Sequence, residues 1–308
     1  TPQRSFILAD CPGHVQYTRN TVTGASTADA VVLLVDARHG VVEQTRRHLA
    51  VAALLKVPHV VVAVNKIDLV DFSAEVYART AEQIERVAAA LGVADAHVLP
   101  TSALAGDNVV ERSGRTPFYN GPALLELLES LPADSTQADR ALRLPVQLVI
   151  RPQSAAAEGL TDYRGYAGRI SAGAVELGDD VVVLPSGRRT TVTGINLGAQ
   201  PVPAARAGQS VSLELADDID IARGDLIAAG HGFPPLVREV EAHVAWLSER
   251  PLHARDRVLV KHGARTVRAL VASIEGVLEL DDLAISPADE LALNDIGRLR
   301  LRLAEPLP

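Results

Sequence analysis

The stretch Phe6–His14 places groups that can bind phosphate and metal directly after an apolar run. Its first four residues are apolar, and Asp10 follows them, then a Pro-Gly turn. Such a run predicts a buried strand, and open α/β sheets bind ligands beyond the carboxyl ends of their strands. A carboxylate at Asp10 can hold Mg²⁺ directly or through water, and Gly13 lets a backbone N–H approach a phosphate group. A plain Asp-Pro-Gly-type turn is the alternative that these residues alone leave open.

A second polar stretch, Asn65-Lys66-Ile67-Asp68, follows the continuous apolar run Val60–Val64. The carboxylate of Asp68 can accept two hydrogen bonds from the N1–H and N2–H₂ edge of guanine. Adenine lacks that pair of donors. Binding of adenine would leave buried polar groups of the site unpaired, so the site rejects adenine strongly. Asn65 can tie adjacent loops together, and the stem of Lys66 can cover one face of the base. The pattern predicts a guanine-nucleotide site.

A third piece, Ser102-Ala103-Leu104, comes after the predicted strand 96–99. Backbone N–H groups at this position can reach O6 of guanine. Each of the three pieces ends a predicted strand, and they occur in the order that one nucleotide site requires. Coincidence therefore becomes a poor explanation of the set, although Asn-Lys-x-Asp alone is weak evidence.

These residues resemble the third, fourth and fifth motifs of GTP-binding proteins of the translation-factor superfamily. The resemblance implies GTP and Mg²⁺ as cofactors, with Asp10 as the metal ligand and His14 as the catalytic residue that orients the attacking water. A solvated loop histidine is the alternative for His14. The implied nucleotide-binding residues are Asp10, Cys11, Pro12, Gly13, His14, Asn65, Lys66, Ile67, Asp68, Ser102, Ala103 and Leu104.

Alternating strand and helix patterns predict an α/β GTP-binding domain over residues 1–136. The predicted strands cover 5–10, 30–36, 58–64 and 96–100, and the helices cover 15–27, 41–56, 73–91 and a stretch from Leu124. The chain contains no Gly-x-x-x-x-Gly-Lys phosphate loop and no methionine. We therefore expect this domain to be incomplete, with its phosphate loop and first switch upstream of Thr1.

The rest of the chain changes to short alternating runs separated by glycines, which predicts β structure. Residues 132–143 are polar and indicate a linker. Two all-β barrel domains are predicted, one over 140–232 and one over 235–308. Strands in the second are expected at 237–247, 256–262, 265–275, 278–285 and 296–303. Such a layout resembles the three domains of elongation factor Tu.

Composition limits the classes of function. The 308 residues carry a net charge of −8 and a single cysteine, Cys11. One cysteine excludes an internal disulfide and fits a reducing cytoplasmic compartment. The acidic total argues mildly against a broad nucleic-acid surface, and no apolar run approaches the length of a membrane span. We expect a cytoplasmic protein with neither a nucleic acid nor a membrane as its partner.

Longer stretches resemble the large subunit of bacterial sulfate adenylyltransferase along nearly the whole chain. Examples are His14–Asn20, Val35–His48, Phe118–Pro122, Asp218–Asp225 and Leu291–Arg298. The resemblance implies a regulatory GTPase that binds a smaller ATP sulfurylase catalytic subunit. It would couple GTP hydrolysis to formation of adenylyl sulfate and pyrophosphate from ATP and sulfate.

Two alternatives remain at this point: a translational GTPase of the elongation factor Tu type and a non-hydrolysing scaffold. The translational reading needs a basic RNA-binding surface, for which Arg188-Arg189 and the alternating Arg298, Arg300 and Arg302 are the candidates. Alternation along a strand is more simply a solvated face.

Overall fold

The computed structural model describes residues 1–12, 18–132, 140–152 and 163–308. It forms two compact units. The first comprises Thr1–Ala133, Ala242–Ala254 and Ser273–Leu299, and the second comprises Asp134–Glu241, Arg255–Ala272 and Arg300–Pro308. The three sequence-based domain boundaries remain a prediction.

The first unit begins with alternating helices and strands. They are α1 (Thr18–Ala25), β1 (Ala30–Asp36), α2 (Glu43–Leu54), β2 (His59–Asn65), a 3₁₀ helix (Ile67–Val70), α3 (Ala74–Ala90), β3 (Ala96–Pro100) and α4 (Leu124–Ser130). Strands β1, β2 and β3 form a parallel sheet in that order, with β2 central. The valines of β2 are fully buried because apolar side chains cover both faces of the strand. Ile84 packs on the face of Val62, and Leu127 on the face of Val61.

Most of the predicted elements of this part are confirmed within one or two residues at each end. The predicted strand 30–36 is β1 and the predicted helix 73–91 is α3. The helix expected over 15–27 is observed as Thr18–Ala25, and residues 15–17 lie outside the described residues.

The predicted strand 5–10 is wrong. Residues 5–10 carry no strand, and the side chains of Ile7 and Leu8 are 101% and 87% exposed. An apolar run gains ladder hydrogen bonds and a buried face only when a strand lies beside it. Among the described residues no strand pairs with this segment.

Two arginines of α2 join that helix to later segments of the same unit. Arg46 donates to the carbonyl oxygens of Leu280 and Asp281 at 3.0 and 2.6 Å. Arg47 donates to the carbonyl oxygen of Asn294 at 2.8 Å. On the next turns of α2, Ala50 and Val51 pack with Ile296. Residues distant in sequence therefore complete the packing of α2.

The remaining described elements are strands. They are β4 (Arg143–Pro145), β5 (Leu148–Ile150), β6 (Gly165–Arg169), β7 (Ala174–Glu176), β8 (Asp180–Leu184), β9 (Arg188–Leu197), β10 (Gln200–Pro201), β11 (Ala204–Arg206), β12 (Ser210–Leu215), β13 (Leu226–Ala229), β14 (Val237–Ala245), β15 (Leu252–His253), β16 (Arg257–His262), β17 (Arg265–Leu278), β18 (Ile285–Ser286), β19 (Glu290–Leu291) and β20 (Ile296–Leu307).

These strands form two larger sheets. One has the order β4-β13-β8-β9-β12-β6-β5, with β10 beside β9, and the other has the order β14-β20-β17-β16, with β18 beside β17. The first sheet encloses an apolar core around Tyr166, Ile195, Leu213 and Ile227. Alternating burial along β20 matches the alternation in its sequence.

The predicted strand 278–285 is wrong. Strand β17 continues to Leu278, and the chain then turns before β18. The Glu279 N–H donates to the Ala284 oxygen at 2.8 Å and closes that turn. Asp281 and Asp282 lie in it, as expected for residues that disfavour strands and favour turns. Among the described residues, no helix is both long and apolar enough to span a bilayer.

Candidate nucleotide-binding site

The carboxyl ends of β1, β2 and β3 meet at one edge of the parallel sheet. Asp36 at the end of β1 is the register partner of Asn65 at the end of β2. The Thr101 N–H, directly after β3, donates to the Val64 oxygen at 2.8 Å. Polar residues that follow three different strands are thus placed side by side, where open α/β sheets bind their ligands.

The side chain of Asn65 joins the loop after β2 to the loop after β3. Its Oδ1 accepts a hydrogen bond from the Ala103 N–H at 2.9 Å and lies 3.5 Å from the Thr101 hydroxyl. The structure therefore brings Asn65 together with the third predicted piece of the site.

The loop after β3 is closed by its own hydrogen bonds. Ser102 is buried, and its hydroxyl accepts from the Ala105 N–H at 3.2 Å. The Gly106 N–H donates to the Ser102 oxygen at 2.7 Å, and the Asn108 amide donates to the Pro100 oxygen at 2.9 Å. These contacts fix the backbone of a short loop that points into solvent.

Within this fixed loop, Ala103 and Leu104 are exposed, and Leu104 is 93% exposed. The Leu104 N–H has no acceptor among the described residues. An ordered loop with a free N–H group fits a carbonyl acceptor on a ligand, and guanine O6 is such an acceptor.

The loop after β2 turns sharply at Lys66. Lys66 adopts φ 61°, in the left-handed region that non-glycine residues rarely occupy. Ile67 is fully buried below it, and the Ile67 N–H donates to the Thr101 oxygen at 3.2 Å. Asp68 lies in the first turn of the short 3₁₀ helix and is partly exposed. No donor in the described part of the chain pairs with its carboxylate, which leaves both oxygens available to a ligand.

Asp36 lies at the same edge of the sheet and contacts Lys66, and the sequence analysis did not include it among the candidate site residues. Its carboxylate accepts from Lys66 Nζ at 3.0 Å and from Arg38 at 3.0 and 2.6 Å. Arg38 and, to a smaller extent, Lys66 hold the pKa of Asp36 well below its usual range, against the opposing effect of burial. Asp36 therefore fixes the Lys66 stem beside the predicted base site. Its position at the end of an apolar run, like that of Asn65, was the available signal.

The first predicted piece is only partly described. Asp10 is exposed, and Gly13 and His14 lie outside the described residues. The Cys11 sulfur lies 3.6 Å from the Asn20 oxygen of α1. A Cβ on Gly24 would approach that sulfur to 2.5 Å, so the small residue makes room for it. No described contact joins residues 10–12 to the Asn65–Asp68 loop.

The predicted metal site rests on Asp10 alone among the described residues. The described residues contain no cluster of three or more His, Cys, Asp or Glu side chains that could hold a metal ion. Mg²⁺ in nucleotide sites commonly takes one or two carboxylates and completes its shell with phosphates and water. A single carboxylate at Asp10 fits that mode of binding.

Two family models match the chain. The elongation factor Tu GTP binding domain matches residues 1–135, and the GTP-eEF1A C-terminal domain-like model matches residues 239–308. A crystal structure of Sup35 complexed with GDP aligns with 93% of this chain and 72% of that chain, with a TM-score of 0.50 and 23% sequence identity. The predicted fold class, an α/β GTP-binding domain followed by β domains, is thus confirmed.

Similarity to named proteins extends along the whole chain. The bifunctional enzyme CysN/CysC of Mycobacterium tuberculosis is 46% identical over 312 residues, covering 100% of this chain and 50% of that protein. Sulfate adenylyltransferase subunit 1 of Laribacter hongkongensis is 44% identical, covering 100% of this chain and 63% of that protein. The bifunctional enzyme NodQ of Rhizobium tropici is 41% identical, and the chain covers 48% of it.

The chain therefore spans between about half and two thirds of the length of these relatives. The sequence identity is 46%, 44% and 41% for the three relatives. The aligned region includes both the α/β part and the β-rich part of this chain. Residues 1–135 thus match the elongation factor Tu GTP binding domain, and the chain as a whole is similar to sulfate adenylyltransferase subunit 1.

Proposed function

We propose that this chain is the GTP-binding, regulatory part of a sulfate adenylyltransferase. The observation that carries the proposal is the 44% identity to a sulfate adenylyltransferase subunit 1 over 100% of the chain. The loop geometry at the carboxyl ends of β2 and β3 supports it independently, because that geometry suits a guanine base.

In the proposed base site, the Asp68 carboxylate accepts from N1–H and N2–H₂ of guanine, and the Leu104 N–H donates to O6. Asn65 holds the two loops at a fixed separation through the Ala103 N–H. Asp36 orients the Lys66 stem against one face of the base. Ile67 and Ser102 are buried beneath the loops and support them.

The proposed phosphate end of the site comprises Asp10, Cys11, Pro12, Gly13 and His14. Asp10 would hold Mg²⁺, which when bound neutralises charge on the phosphates. His14 would orient the attacking water, as the resemblance to translation-factor GTPases implies. If so, the variant His14→Ala should hydrolyse GTP between about 10² and 10⁴ times more slowly than the parent and bind GTP nearly as well. Normal hydrolysis by that variant would contradict the role.

Hydrolysis of GTP would be coupled to synthesis of adenylyl sulfate and pyrophosphate on a smaller catalytic subunit. Adenylyl transfer from ATP to sulfate is strongly uphill, so a nucleotide-driven conformational switch has a clear purpose. We place the complex in the cytoplasm, which fits the single cysteine and the acidic composition.

The alternative of a translational GTPase requires an RNA-binding surface, and the contacts of β20 argue against one of its two candidate surfaces. Arg300 and Arg302 each contact a glutamate of β14, at 3.1 and 3.2 Å, and Arg298 contacts Glu275 at 3.1 Å. These arginines are therefore neutralised and are poor ligands for phosphate.

The decisive experiment measures pyrophosphate release from ATP and sulfate by the full-length protein, with and without the smaller subunit and with and without GTP. Stimulation by GTP that needs both subunits is the expected result. Pyrophosphate release that needs both subunits but ignores GTP would favour a scaffold. Absence of stimulation together with salt-sensitive tRNA binding would favour the translational alternative.

A further inference from the structure

The outer face of the β14-β20-β17-β16 sheet carries basic and apolar side chains in alternation. Along β16 the alternating exposed residues are Arg257, Leu259 and Lys261, and His262 at the end of the strand is exposed as well. Their register partners on β17 are Leu270, Arg268 and Thr266, in the same order. Because paired residues of antiparallel strands point to the same face, a basic and an apolar side chain lie next to each other on both strands.

This part of the face has an unbalanced positive charge. No acidic side chain of the described residues pairs with Arg257, Lys261 or Arg268. The neighbouring Arg300 and Arg302 are different, because Glu241 and Glu239 neutralise them. A local cluster of three unpaired cations stands out in a chain whose net charge is −8.

The same surface is concave and largely apolar at its floor. A depression of about 620 Å³ lies over it, bordered by Arg257, Leu259, Arg268, Leu270 and Arg302. Leu259 is 71% exposed at the centre of the basic residues. An apolar floor inside a charged rim offers a place for an apolar side chain that is flanked by charged ones.

Strand β16 also has an open edge. It is the last strand of its sheet, and among the described residues no strand pairs with its outer side. Its free N–H and C=O groups can therefore pair with an added strand, as in β-augmentation. Charged side chains such as Lys261 also protect edge strands against non-specific pairing, so a partner strand would need complementary charge.

We propose that the edge of β16 receives an extended acidic segment of a partner protein. The outward side chains of that segment alternate acid, apolar, acid. The two acids face Arg257 and Lys261, with Arg268 close to both, and the apolar residue covers Leu259. Main-chain hydrogen bonds along the edge supply affinity, and the charge pattern supplies specificity.

The test uses the full-length protein and a fluorescent heptapeptide with Glu, Val and Glu at alternate positions and Thr between them. Anisotropy should report saturable binding that weakens as salt is raised. A peptide with Lys in place of Glu should not bind. A peptide with N-methyl groups at alternate backbone nitrogens should also fail, because it keeps the side chains and cannot pair as a strand.

Two charge reversals test the face itself. Arg257→Glu and Arg268→Glu should each weaken binding of the acidic peptide by about tenfold. Arg188→Glu is the matched control, since Arg188 is exposed on a different sheet and has no acidic partner in the described part of the chain. That variant should bind the peptide like the parent, and circular dichroism of all three variants should match the parent.

Three outcomes would overturn the proposal. One is that the acidic peptide does not bind even in the millimolar range. Another is that Arg188→Glu weakens binding as much as Arg268→Glu, which would indicate only a net-charge effect. A third is that a single-stranded RNA binds more tightly than the peptide and loses affinity in the same two variants, which would make the face a nucleic-acid surface.

Discussion

At the scale of single residues, Asp68 decides which base the proposed site accepts. Its carboxylate lies in the first turn of the 3₁₀ helix after β2, and no described residue donates a hydrogen bond to it. The two acceptor oxygens match the two donors on the Watson–Crick edge of guanine. Xanthine has a carbonyl acceptor at position 2 in place of the guanine amino group. A side chain that can donate a hydrogen bond therefore pairs with xanthine better than a carboxylate does.

The variant Asp68→Asn should therefore lose GTP affinity by about 100-fold or more and gain affinity for XTP. Titration of the full-length protein with fluorescent GTP and XTP measures both affinities. Asp71→Asn is a suitable control, because Asp71 is an exposed acid on the same short segment. Unchanged GTP preference in the Asp68 variant would remove the base-recognition role.

Asp36 makes stability depend on pH in a predictable direction. Arg38, followed by Lys66, lowers the pKa of this carboxyl in the folded protein. Because the pKa is lower in the folded than in the unfolded protein, the ionised carboxylate stabilises the fold above the unfolded-state pKa of about 4. This stabilisation is lost as the pH falls from that value toward the folded-state pKa.

We therefore expect Asp36→Asn to lower the free energy of unfolding at neutral pH, and the difference from the parent to shrink below about pH 4. Urea denaturation at a series of pH values measures this difference. A difference that stays constant across the series would mean that the ionised carboxylate does not stabilise the fold through Arg38 and Lys66.

At the scale of elements, helix α3 depends on a defined start. The Ser73 hydroxyl accepts a hydrogen bond from the Val76 N–H at 3.3 Å and caps the helix. The helix buries Ala81, Ile84 and Ala88. Removal of the cap leaves an N–H of the first turn without its partner.

The variant Ser73→Ala should destabilise the protein by about 1 kcal/mol, whereas Ser73→Asp should retain most of the stability because it can still accept. Chemical denaturation of the two variants gives the comparison. Equal loss in both would show that the hydroxyl contributes through something other than capping.

Which elements the sequence could predict follows from where their partners lie. Strand β2 and helix α3 were predictable because continuous burial and a regular apolar stripe are local signals. Residues 5–10 carry the same apolar signal but form no strand, since pairing depends on a neighbour that the pattern does not reveal. The site divides in the same way. Asn65 and Asp68 belong to a recognisable spacing, whereas Asp36 is a single acid whose role depends on contact with Lys66.

At the scale of the whole molecule, Arg47 connects distant parts of the first unit. Its side chain is 15% exposed, pairs with Glu43 at 2.9 Å and donates to the Asn294 carbonyl. Replacement by alanine would leave that carbonyl without its charged donor.

We expect Arg47→Ala to lower the free energy of unfolding by roughly 1–3 kcal/mol. Arg86→Ala is the control, because Arg86 is exposed and its ion pair with Glu82 on the same helix is long, at 3.9 Å. Its loss should lower the free energy of unfolding by less than about 1 kcal/mol. Thermal or urea denaturation measures both. Equal losses of unfolding free energy in the two variants would show that the Arg47 contact with Asn294 stabilises the protein no more than an exposed ion pair does.

The connection of α2 to residues 280, 281, 294 and 296 also constrains how the protein is made. A ribosome delivers α2 long before those residues, yet the first unit includes Ser273–Leu299. While the intervening chain is being synthesised, Arg46 and Arg47 lack their carbonyl partners and Ala50 and Val51 remain uncovered. The α/β part of the molecule can reach its final packing only after residue 296 has emerged from the ribosome.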